Sequence, residues 1–430
     1  MVDLVDKDLV DRDAITPLKS TDFNGDLSLA IKTHYHEIRD IQSAVNEILQ
    51  GDTAIFYSGS KTAYIMDFKH WEKRSVETPD SETVVRGPRE GFTESIRTNT
   101  ALLRRKIRTP KLVIENMTIG RQTNTPIGIV YVEGIVNQTV LKELKARLSK
   151  IDTDAILESG YIEQYISENI YSPITGIGLT QKPDVLAARI LEGRGGVMCD
   201  GTPFVLTIPE LFIENIQTSE DYYTSSILAS SLRILRIFGI IASLILPGLA
   251  VAVITYNQEM MPAPFLVSMI TSTLKTPLPA GAEVFLLMVM FELVKEAGTR
   301  LPKAVGSAIT IVGSLIIGDA AVSAGIAGAP AVIIVALTAV TGFIAPTLTK
   351  FLLIYRFVFL FLGGTLGLVG IGSGIMILLT QLISTKSFGI PILDSFNKNE
   401  VKDSFIRFPL KSMFLRPTVI DKRNVRRNRE

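Results

Sequence analysis

Three acidic residues interrupt the apolar stretches of this 430-residue chain, and they are the first candidates for chemistry. Glu283, Glu292 and Asp319 each lie among residues that favour a membrane interior. A charge at membrane depth is costly, so it usually faces water or other protein groups. Carboxylates that ring a cation pathway in an oligomer are one use of such acids. Ion pairs within one chain are the other, and Lys295 follows Glu292 at a spacing that allows a pair along a helix.

The stretch Val305–Gly318 consists mainly of small, β-branched and apolar residues. Around the axis of an oligomer, it could form a hydrophobic constriction that closes a pore by excluding water. Its glycines could instead let neighbouring helices pack closely, as we expect for the later spacings Gly363–Gly367 and Gly370–Gly374. We place the constriction at Ile309–Leu315. The candidate pore or gate residues are Ile309, Ile311, Val312, Leu315 and Asp319.

Patterns typical of enzymes and metal sites do not occur in the sequence. None of the three histidines lies in an HExxH motif, and Cys199 is the single cysteine, so there is no CxxC pair or internal disulfide. The chain also has no G-x-x-x-x-G-K-[ST] loop and no G-x-S-x-G elbow. We therefore expect no catalytic residue, no metal ligand and no cofactor.

Residues 86–111 form a basic segment that could bind a polyanion. Its basic side chains are Arg86, Arg89, Arg97, Arg104, Arg105, Lys106, Arg108 and Lys111. No nucleic-acid-binding module and no interleaved stacking aromatics accompany them, so we expect no nucleic-acid partner. Anionic lipid head groups are an alternative, and a solvated or intersubunit surface is favoured over both.

The acidic residues Glu283, Glu292 and Asp319 lie among or beside long uncharged stretches in the second half of the chain. Ile237–Tyr256 has 20 residues without a charge, Ala320–Thr349 has 30, and Phe357–Thr385 has 29. About 20 apolar residues are enough to cross the hydrocarbon core of a bilayer as a helix. The sequence therefore predicts a protein of the lipid bilayer, with a polar, mixed-charge portion in front.

The charges that flank the apolar part predict its orientation. Arg233 and Arg236 precede the first apolar segment, and residues 386–430 carry eleven basic against five acidic side chains. Because positively charged flanks stay in the cytosol, we expect both ends to be cytosolic, which needs an even number of crossings. We recognise five apolar segments, at residues 237–256, 263–294, 304–318, 330–346 and 357–383. We therefore expect a helical bundle of four to six transmembrane segments, with one short segment re-entrant or interfacial.

The differences in charge and hydropathy along the chain predict four parts. These are a disordered arm without a signal peptide (1–24), a cytosolic α/β (α+β) domain (25–225), a helical membrane domain (230–385) and a basic cytosolic tail (386–430).

The predicted α/β domain contains one pattern twice. A helix followed by a hairpin occupies about residues 30–70 and returns at about 180–215, where ILQG and ILEG each close the helix. We interpret the two as related subdomains. The strands and helices between them predict a mixed sheet that helices cover on one side.

The stretch ETVVRGPREGF, with the 20 residues TESIRTNTALLRRKIRTPKL after it, strongly resembles the A-subunit family of spore nutrient-germinant receptors, the GerA type. The family motif in it comprises Arg86, Gly87, Pro88, Arg89, Glu90 and Gly91. Further matching stretches are YIEQYISENIYSP, DGTPFVLTIPELF, EDYY, FELVKEAGTRLPK, IVGSLIIGDAAVSAGI, SFGIPIL and DSFIRFPLKSM. One departure is Gly195-Gly196, where the family usually has apolar residues, in what we take as an edge strand.

The resemblance implies a subunit of a receptor in the inner membrane of dormant spores. Its implied partners are a multi-span B subunit that binds the nutrient, a C-subunit lipoprotein, and further copies of this chain in a homo-oligomer, a pentamer. The implied activity is that of a nutrient-gated cation channel that starts ion release at germination. A transporter-like subunit and a non-conducting scaffold are the alternatives that the residues themselves leave open.

Overall fold

The computed structural model describes residues 35–49, 53–55, 63–66, 82, 84, 86–168, 172–174, 176–393, 403–413, 415–417 and 419–420. They form an α/β region (residues 35–223), a helical bundle (residues 226–384) and a tail (residues 386–420) that returns to the α/β region. The predicted arm at residues 1–24 and the last ten residues of the predicted basic tail lie outside the described residues.

The α/β region begins with a small antiparallel sheet and one helix. Strands β1 (Tyr35–Ile38), β2 (Thr53–Ile55) and β3 (Ala63–Met66) have the order β1-β3-β2, and helix α1 (Ile41–Leu49) precedes β2. The helix-then-hairpin succession predicted for residues 30–70 is therefore present.

A five-stranded sheet forms the centre of the α/β region. Its strands are β4 (Leu112–Ile119), β5 (Thr125–Val132), β6 (Gly178–Thr180), β7 (Gly195–Cys199) and β8 (Val205–Ile208), in the order β4-β5-β7-β8-β6. The helices around it are α2 (Ile96–Lys106), α3 (Gln138–Leu148), α4 (Ser159–Ile166), α5 (Pro183–Leu191) and the short α6 (Glu220–Tyr223). Helix α5 with β7 and β8 is the second predicted helix–hairpin unit. Whether the two units are related stays a prediction.

The prediction of a mixed sheet with helices on one side is wrong. All four strand pairs of this sheet are antiparallel. Met198 and Val205 pack with α2 and α5 on one face, whereas Val197 and Leu206 pack with α3 and α4 on the other. The second layer is possible because side chains of one strand alternate between the faces, and β7 and β8 are buried throughout.

Gly196 lies in an interior strand, and the expectation of an edge strand there is also wrong. Strand β7 pairs with β5 on one side and β8 on the other. A Cβ atom on Gly196 would lie 2.9 Å from Leu186 Cδ1 of α5. The glycine therefore lets α5 pack directly on the sheet.

Six helices form the bundle. They are α7 (Ser226–Tyr256), α8 (Ala263–Thr273), α9 (Ala280–Thr299), α10 (Lys303–Ser323), α11 (Ala329–Gly342) and α12 (Thr349–Ser384). Among the described residues, two stretches are long and apolar enough to cross a bilayer, Ser226–Tyr256 and Pro346–Ser384. The number of crossings thus stays a prediction.

Helix α12 turns back on itself at Gly367, whose φ of 61° and ψ of −143° are not helical. The Tyr355 hydroxyl hydrogen-bonds the Gln381 side chain, 26 residues along the chain. In a straight helix, at about 1.5 Å per residue, those residues would be about 39 Å apart. Since a Cβ atom on Gly374 would also lie 2.9 Å from Phe359 Cε1, the two halves of α12 must pack side by side. The apolar segment predicted at 357–383 is therefore two helical runs.

Contacts along the helices show that their directions alternate. The start of α9 at Gly281 approaches Val251 of α7, whereas Glu292 lies near Arg356, which binds Ser243 earlier in α7. Helix α9 therefore runs back toward the α/β region. Gly313 of α10 lies beside Val294, so α10 runs away again.

Helix α11 completes the alternation. Gly328 at its start hydrogen-bonds Glu283, near the far end of the bundle, and Ile344 just after it approaches Gly239 of α7. With the two halves of α12, the described bundle has six helical runs of alternating direction, with α8 joining α7 to α9.

The α/β region and the bundle share one hydrophobic core. The Phe212 and Phe351 rings lie 6.0 Å apart, edge to face, where α12 begins. The tail returns to the same place through the strands β9 (Lys386–Ser387) and β10 (Ile390–Pro391). There the Ser387 hydroxyl donates a hydrogen bond to the Gly176 carbonyl at 2.6 Å. Both ends of α12 therefore lie against the α/β region.

Replacing Gly367 by alanine should loosen this hairpin. The new Cβ would require a left-handed backbone conformation and would lie 3.2 Å from three atoms of the Tyr256 side chain. We expect Gly367→Ala to lose about 1–3 kcal/mol of stability, seen as a lower melting temperature of the detergent-solubilised chain. Gly372→Ala is the matched control, because nothing lies within 4 Å of a Cβ there. Equal melting temperatures for the two variants would contradict the bend.

Candidate functional site

Arg356 is the buried charged centre of the bundle. Its Nη2 donates a hydrogen bond to Ser243 Oγ at 2.6 Å, and its Nε donates one to the Ser243 carbonyl oxygen at 3.2 Å. Its Nη1 lies 3.2 Å from Glu292 Oε1. A Cβ atom on Gly342 would lie 2.8 Å from Arg356 Nη2, so the glycine leaves room for the guanidinium. One side chain of α12 thus binds α7 and α9 and lies against α11.

Glu292 has two basic partners within the chain. The pair expected with Lys295 is present, with 3.3 Å between Lys295 Nζ and Glu292 Oε2. Sequence reasoning missed Arg356, which is 64 residues away. The available signal was its position as a lone arginine in the apolar sequence FLLIYRFVFLFL.

Glu283 is also satisfied within the chain. Its side chain is buried, and its Oε2 accepts a hydrogen bond from the Gly328 N–H at 3.1 Å. The Thr276 hydroxyl donates to its other oxygen. Gly328 begins α11, and a carboxylate at a helix N-terminus is favourable because the helix dipole is positive there. Glu283 therefore caps α11.

Helix α10 has a packed face and an exposed face. Gly306 lies against the Gly298 backbone of α9, and Cβ atoms on Gly313 and Gly318 would each lie 3.3 Å from a valine of α9 or α11. The glycines of the predicted gate segment thus serve helix packing.

The exposed face of α10 carries Val312, Ile316 and Asp319. Val312 is 51% exposed and Ile316 60%, and Asp319 is exposed as well. Spacings of four and three residues place all three on one side of the helix. Asp319 forms no ion pair with any described residue, unlike the other two acids. Ile309, Ile311 and Leu315 belong to the same helix, but their side chains lie outside the described part of the structure.

The motif at residues 86–91 ties α2 to α6. The Arg86 N–H donates to Glu220 Oε1 at 2.8 Å, and Glu90 lies 2.8 Å from Arg105 and 2.9 Å from Lys106. Gly87 has a φ of 142°, and a Cβ atom there would meet the Tyr223 ring at 2.8 Å. In the rest of the motif, Arg89 is exposed, Pro88 is half-buried and Gly91 is buried.

Acidic side chains of the described residues neutralise only part of the basic segment around this motif. Arg105 and Lys106 pair with Glu90, as described above. The side chains of Arg97, Arg104, Arg108 and Lys111 are exposed.

A buried ion-pair network connects the α/β region, α7 and the tail. Arg233 Nε lies 3.0 Å from Asp221 Oδ2, and Arg233 Nη1 lies 3.2 Å from Asp403 Oδ1 of the tail. Arg236 Nη2 lies 2.6 Å from Asp221 Oδ1. Burial alone would raise the pKa of Asp221, but hydrogen bonds from Arg236 and Arg233 outweigh it and lower that pKa. The arginines that predict a cytosolic flank therefore also hold the start of α7 in place.

The family profile described as Bacillus/Clostridium GerA spore germination protein matches residues 1–419. The chain belongs to the GerA family. Spore germination protein KA of Bacillus subtilis (strain 168) is 42% identical over 382 residues, which are 88% of this chain and 70% of that protein. Spore germination protein GerLA of Bacillus cereus is 38% identical over 379 residues, 87% of this chain and 77% of that protein.

A solved structure also matches part of this GerA-family chain. It is the crystal structure of the N-terminal domain of the A subunit of the Bacillus megaterium spore germinant receptor GerK3, 37% identical, with a TM-score of 0.32. The match covers 42% of this chain and 64% of that one. The resemblance to the receptor A-subunit family stated from the sequence is confirmed by the family profile and these relatives. No group of three or more possible metal ligands occurs among the described residues.

Neutralising Glu292 should destabilise the bundle, because it leaves the buried Arg356 guanidinium without its carboxylate. Removing one partner of a buried pair typically costs about 3–5 kcal/mol, so we expect a markedly lower melting temperature for Glu292→Gln. Glu296→Gln is the control, since Glu296 pairs with Arg300 at 2.6 Å on the same helix but is exposed. That change should cost about 0–1 kcal/mol. A Glu292→Gln variant as stable as Glu296→Gln would show that the Arg356 pair does not hold the helices together.

Proposed function

We propose that this chain is the ion-conducting subunit of a spore nutrient-germinant receptor. Several copies, five in our proposal, surround a pore in the spore inner membrane. The pore releases monovalent cations when nutrient binds a partner B subunit. A C-subunit lipoprotein completes the receptor, and the α/β region and the tail lie in the cytosol.

Membership of the GerA family supports the receptor role. The two relatives compared above are spore germination proteins by name. Two apolar stretches long enough to cross a bilayer support a place in the membrane. If each of the six runs of alternating direction crosses the bilayer, the number of crossings is even, as two cytosolic ends require.

The exposed face of α10 is the observation that best supports a pore. Val312 and Ile316 are apolar residues that the described part of the chain leaves more than half exposed, and Asp319 follows on the same side. Placed around a symmetry axis, the two apolar positions would form a constriction that excludes water, and Asp319 would form a ring that attracts cations. Glu283 and Glu292 do not contribute to such a ring, because each is bound within its own chain.

One assay distinguishes the proposed channel from the two alternatives, a transporter-like subunit and a non-conducting scaffold. Purified protein in liposomes should pass monovalent cations in single-channel steps if it is a pore. Saturable uptake of one substrate would support a transporter, and sealed liposomes under every condition would support a scaffold.

Shrinking Val312 should make the closed pore leak. Val312→Ala widens the constriction and lets water enter, which favours the open state, since a few kcal/mol typically separate two such conformations. We expect passive cation leak in liposomes and germination without nutrient in spores that carry the variant.

Val369→Ala is the matched control for this change. Val369 is 78% exposed and lies just after the bend of α12, so the same truncation removes two exposed methyl groups from a different helix. It should leave the liposomes sealed. If Val312→Ala assembles normally and retains ions as tightly as the control, the pore does not pass this face of α10.

A further inference from the structure

Helix α2 presents a basic face that points away from the sheet. Its apolar side chains pack inward on the sheet and on α5. Arg97 and Arg104 are exposed, and their spacing of seven residues places both on one side of the helix. Exposed Arg108 and Lys111 continue this basic face just after the helix ends. Residues 96–111 contain six basic and no acidic side chains, so the segment is strongly positive.

Helix α4 presents an exposed face of tyrosines. Its isoleucines pack inward on the sheet. Tyr161 and Tyr165, one helical turn apart on the outer side, are 45% and 52% exposed. Leu157, just before the helix, is exposed as well. These three residues form the tyrosine face. Adjacent exposed apolar and aromatic side chains are typical of surfaces that bind another protein.

The surroundings of the tyrosine face are acidic. Residues 151–173 contain five acidic and no basic side chains. Two of the acids have an arginine partner from a neighbouring element, since Asp152 pairs with Arg121 and Glu168 pairs with Arg147. Five acids less these two arginines leave this segment and its partners with an excess of three negative charges. The basic face and the tyrosine face therefore carry opposite charge.

The two faces lie on opposite sides of the same sheet. Met198 of β7 packs with the cluster that contains α2, whereas its neighbour Val197 packs with the cluster that contains α4. A single chain thus cannot bring the two faces together, but a second copy can. Contacts between two different faces of identical chains form a ring when the rotation between copies closes.

We propose that the basic face of one copy binds the tyrosine face of the next copy in the oligomer. The guanidinium groups of Arg97 and Arg104 stack on the rings of Tyr161 and Tyr165, and the surrounding acidic side chains complete the match of charge. Tyrosine and arginine are also the residue types that contribute most to protein interfaces. The assignment rests on the proposed function in one respect, because it needs several copies of the chain.

The charges disfavour a symmetric contact through either face. Two basic faces in contact would place arginine against arginine, and two tyrosine faces would bring two acidic segments together. Like charges across an interface oppose binding. The pairing of unlike faces avoids both arrangements and uses each face of every copy once.

Cross-linking of single cysteines in the full-length chain tests the contact. Thr100 is half-buried between the two arginines of α2, and Gln164 is exposed beside the two tyrosines of α4. A cysteine at either position keeps every charge and both rings. Chains with Thr100→Cys and Gln164→Cys, co-expressed with different tags and treated in detergent with a short bismaleimide, should form a covalent dimer. Each variant alone should form none, because the two faces differ.

Two further chains extend this experiment. A chain with both cysteines should give a ladder of products that ends at the size of the ring. The wild-type chain should give no product, because its native Cys199 is buried.

Reversal of one charge tests the chemistry of the contact. Arg104→Glu, added to the Thr100→Cys chain, should lower the yield of covalent dimer about tenfold or more, since it sets an acid against the acidic segment. Lys142→Glu is the matched control, because it makes the same change of charge at an exposed position of α3. It should leave the yield unchanged. Arg97→Glu replaces Arg104→Glu if that variant melts early.

The mass of the detergent-solubilised chain and its conduction in liposomes separate this proposal from the proposed function. An oligomer without the mixed cross-link, a covalent dimer of either single variant, or equal yields for Arg104→Glu and Lys142→Glu would overturn the interface and leave the channel standing. The mixed cross-link in a chain that passes no cations would support the interface and contradict the channel. A chain that is monomeric at every concentration would overturn both.

Discussion

The burial of the Arg356 guanidinium is the constraint on which the helical bundle depends. A buried ion costs several kcal/mol unless its charge and hydrogen bonds are satisfied. Arg356 meets that requirement with Ser243 of α7 and Glu292 of α9, which fixes three helices relative to one another. The close approach needs small residues, and Gly248 and Gly363 supply them by bringing the backbones of α7 and α12 into contact.

This arrangement decides which acid is available for function. Glu292 is used to neutralise Arg356, and Glu283 is used to cap α11. Asp319 is left on the exposed face of α10, together with Val312 and Ile316. Helix α10 packs on α9 and α11 through its glycines, which leaves Val312, Ile316 and Asp319 exposed among the described residues. The cation pathway that we propose along this face would need an oligomer, because a ring of these residues requires several copies of the chain.

Local sequence patterns predicted the strands and helices of the α/β region closely. The features that they did not predict depend on contacts between residues far apart in the chain. The strands expected between the two helix–hairpin units occur at Leu112–Ile119 and Thr125–Val132, and Asn137 caps α3 with its side chain. The second helical layer on the sheet and the pair between Glu292 and Arg356 depend on residues far apart in the chain. The bend at Gly367 lies in an unbroken apolar stretch that reads as one helix, since one glycine there fits packing equally well. The candidate pore residues of α10 were located as a segment from the sequence alone. The structure then showed that the glycines of this segment are packed and that Val312 is exposed.

Chemical accessibility along α10 tests the central claim that its exposed face lines a shared, water-filled pathway. Single cysteines would replace Val312, Ile316, Asp319 and, as the packed control, Gly313, in chains reconstituted in liposomes and opened by a partner or variant. The native Cys199 should not interfere, because it is buried and burial raises the pKa of its thiol to about 12. We expect a water-soluble thiol reagent to modify Val312→Cys, Ile316→Cys and Asp319→Cys and to reduce cation flux, whereas Gly313→Cys is spared. Unchanged flux after modification of the exposed positions, or equal modification of Gly313→Cys, would contradict it.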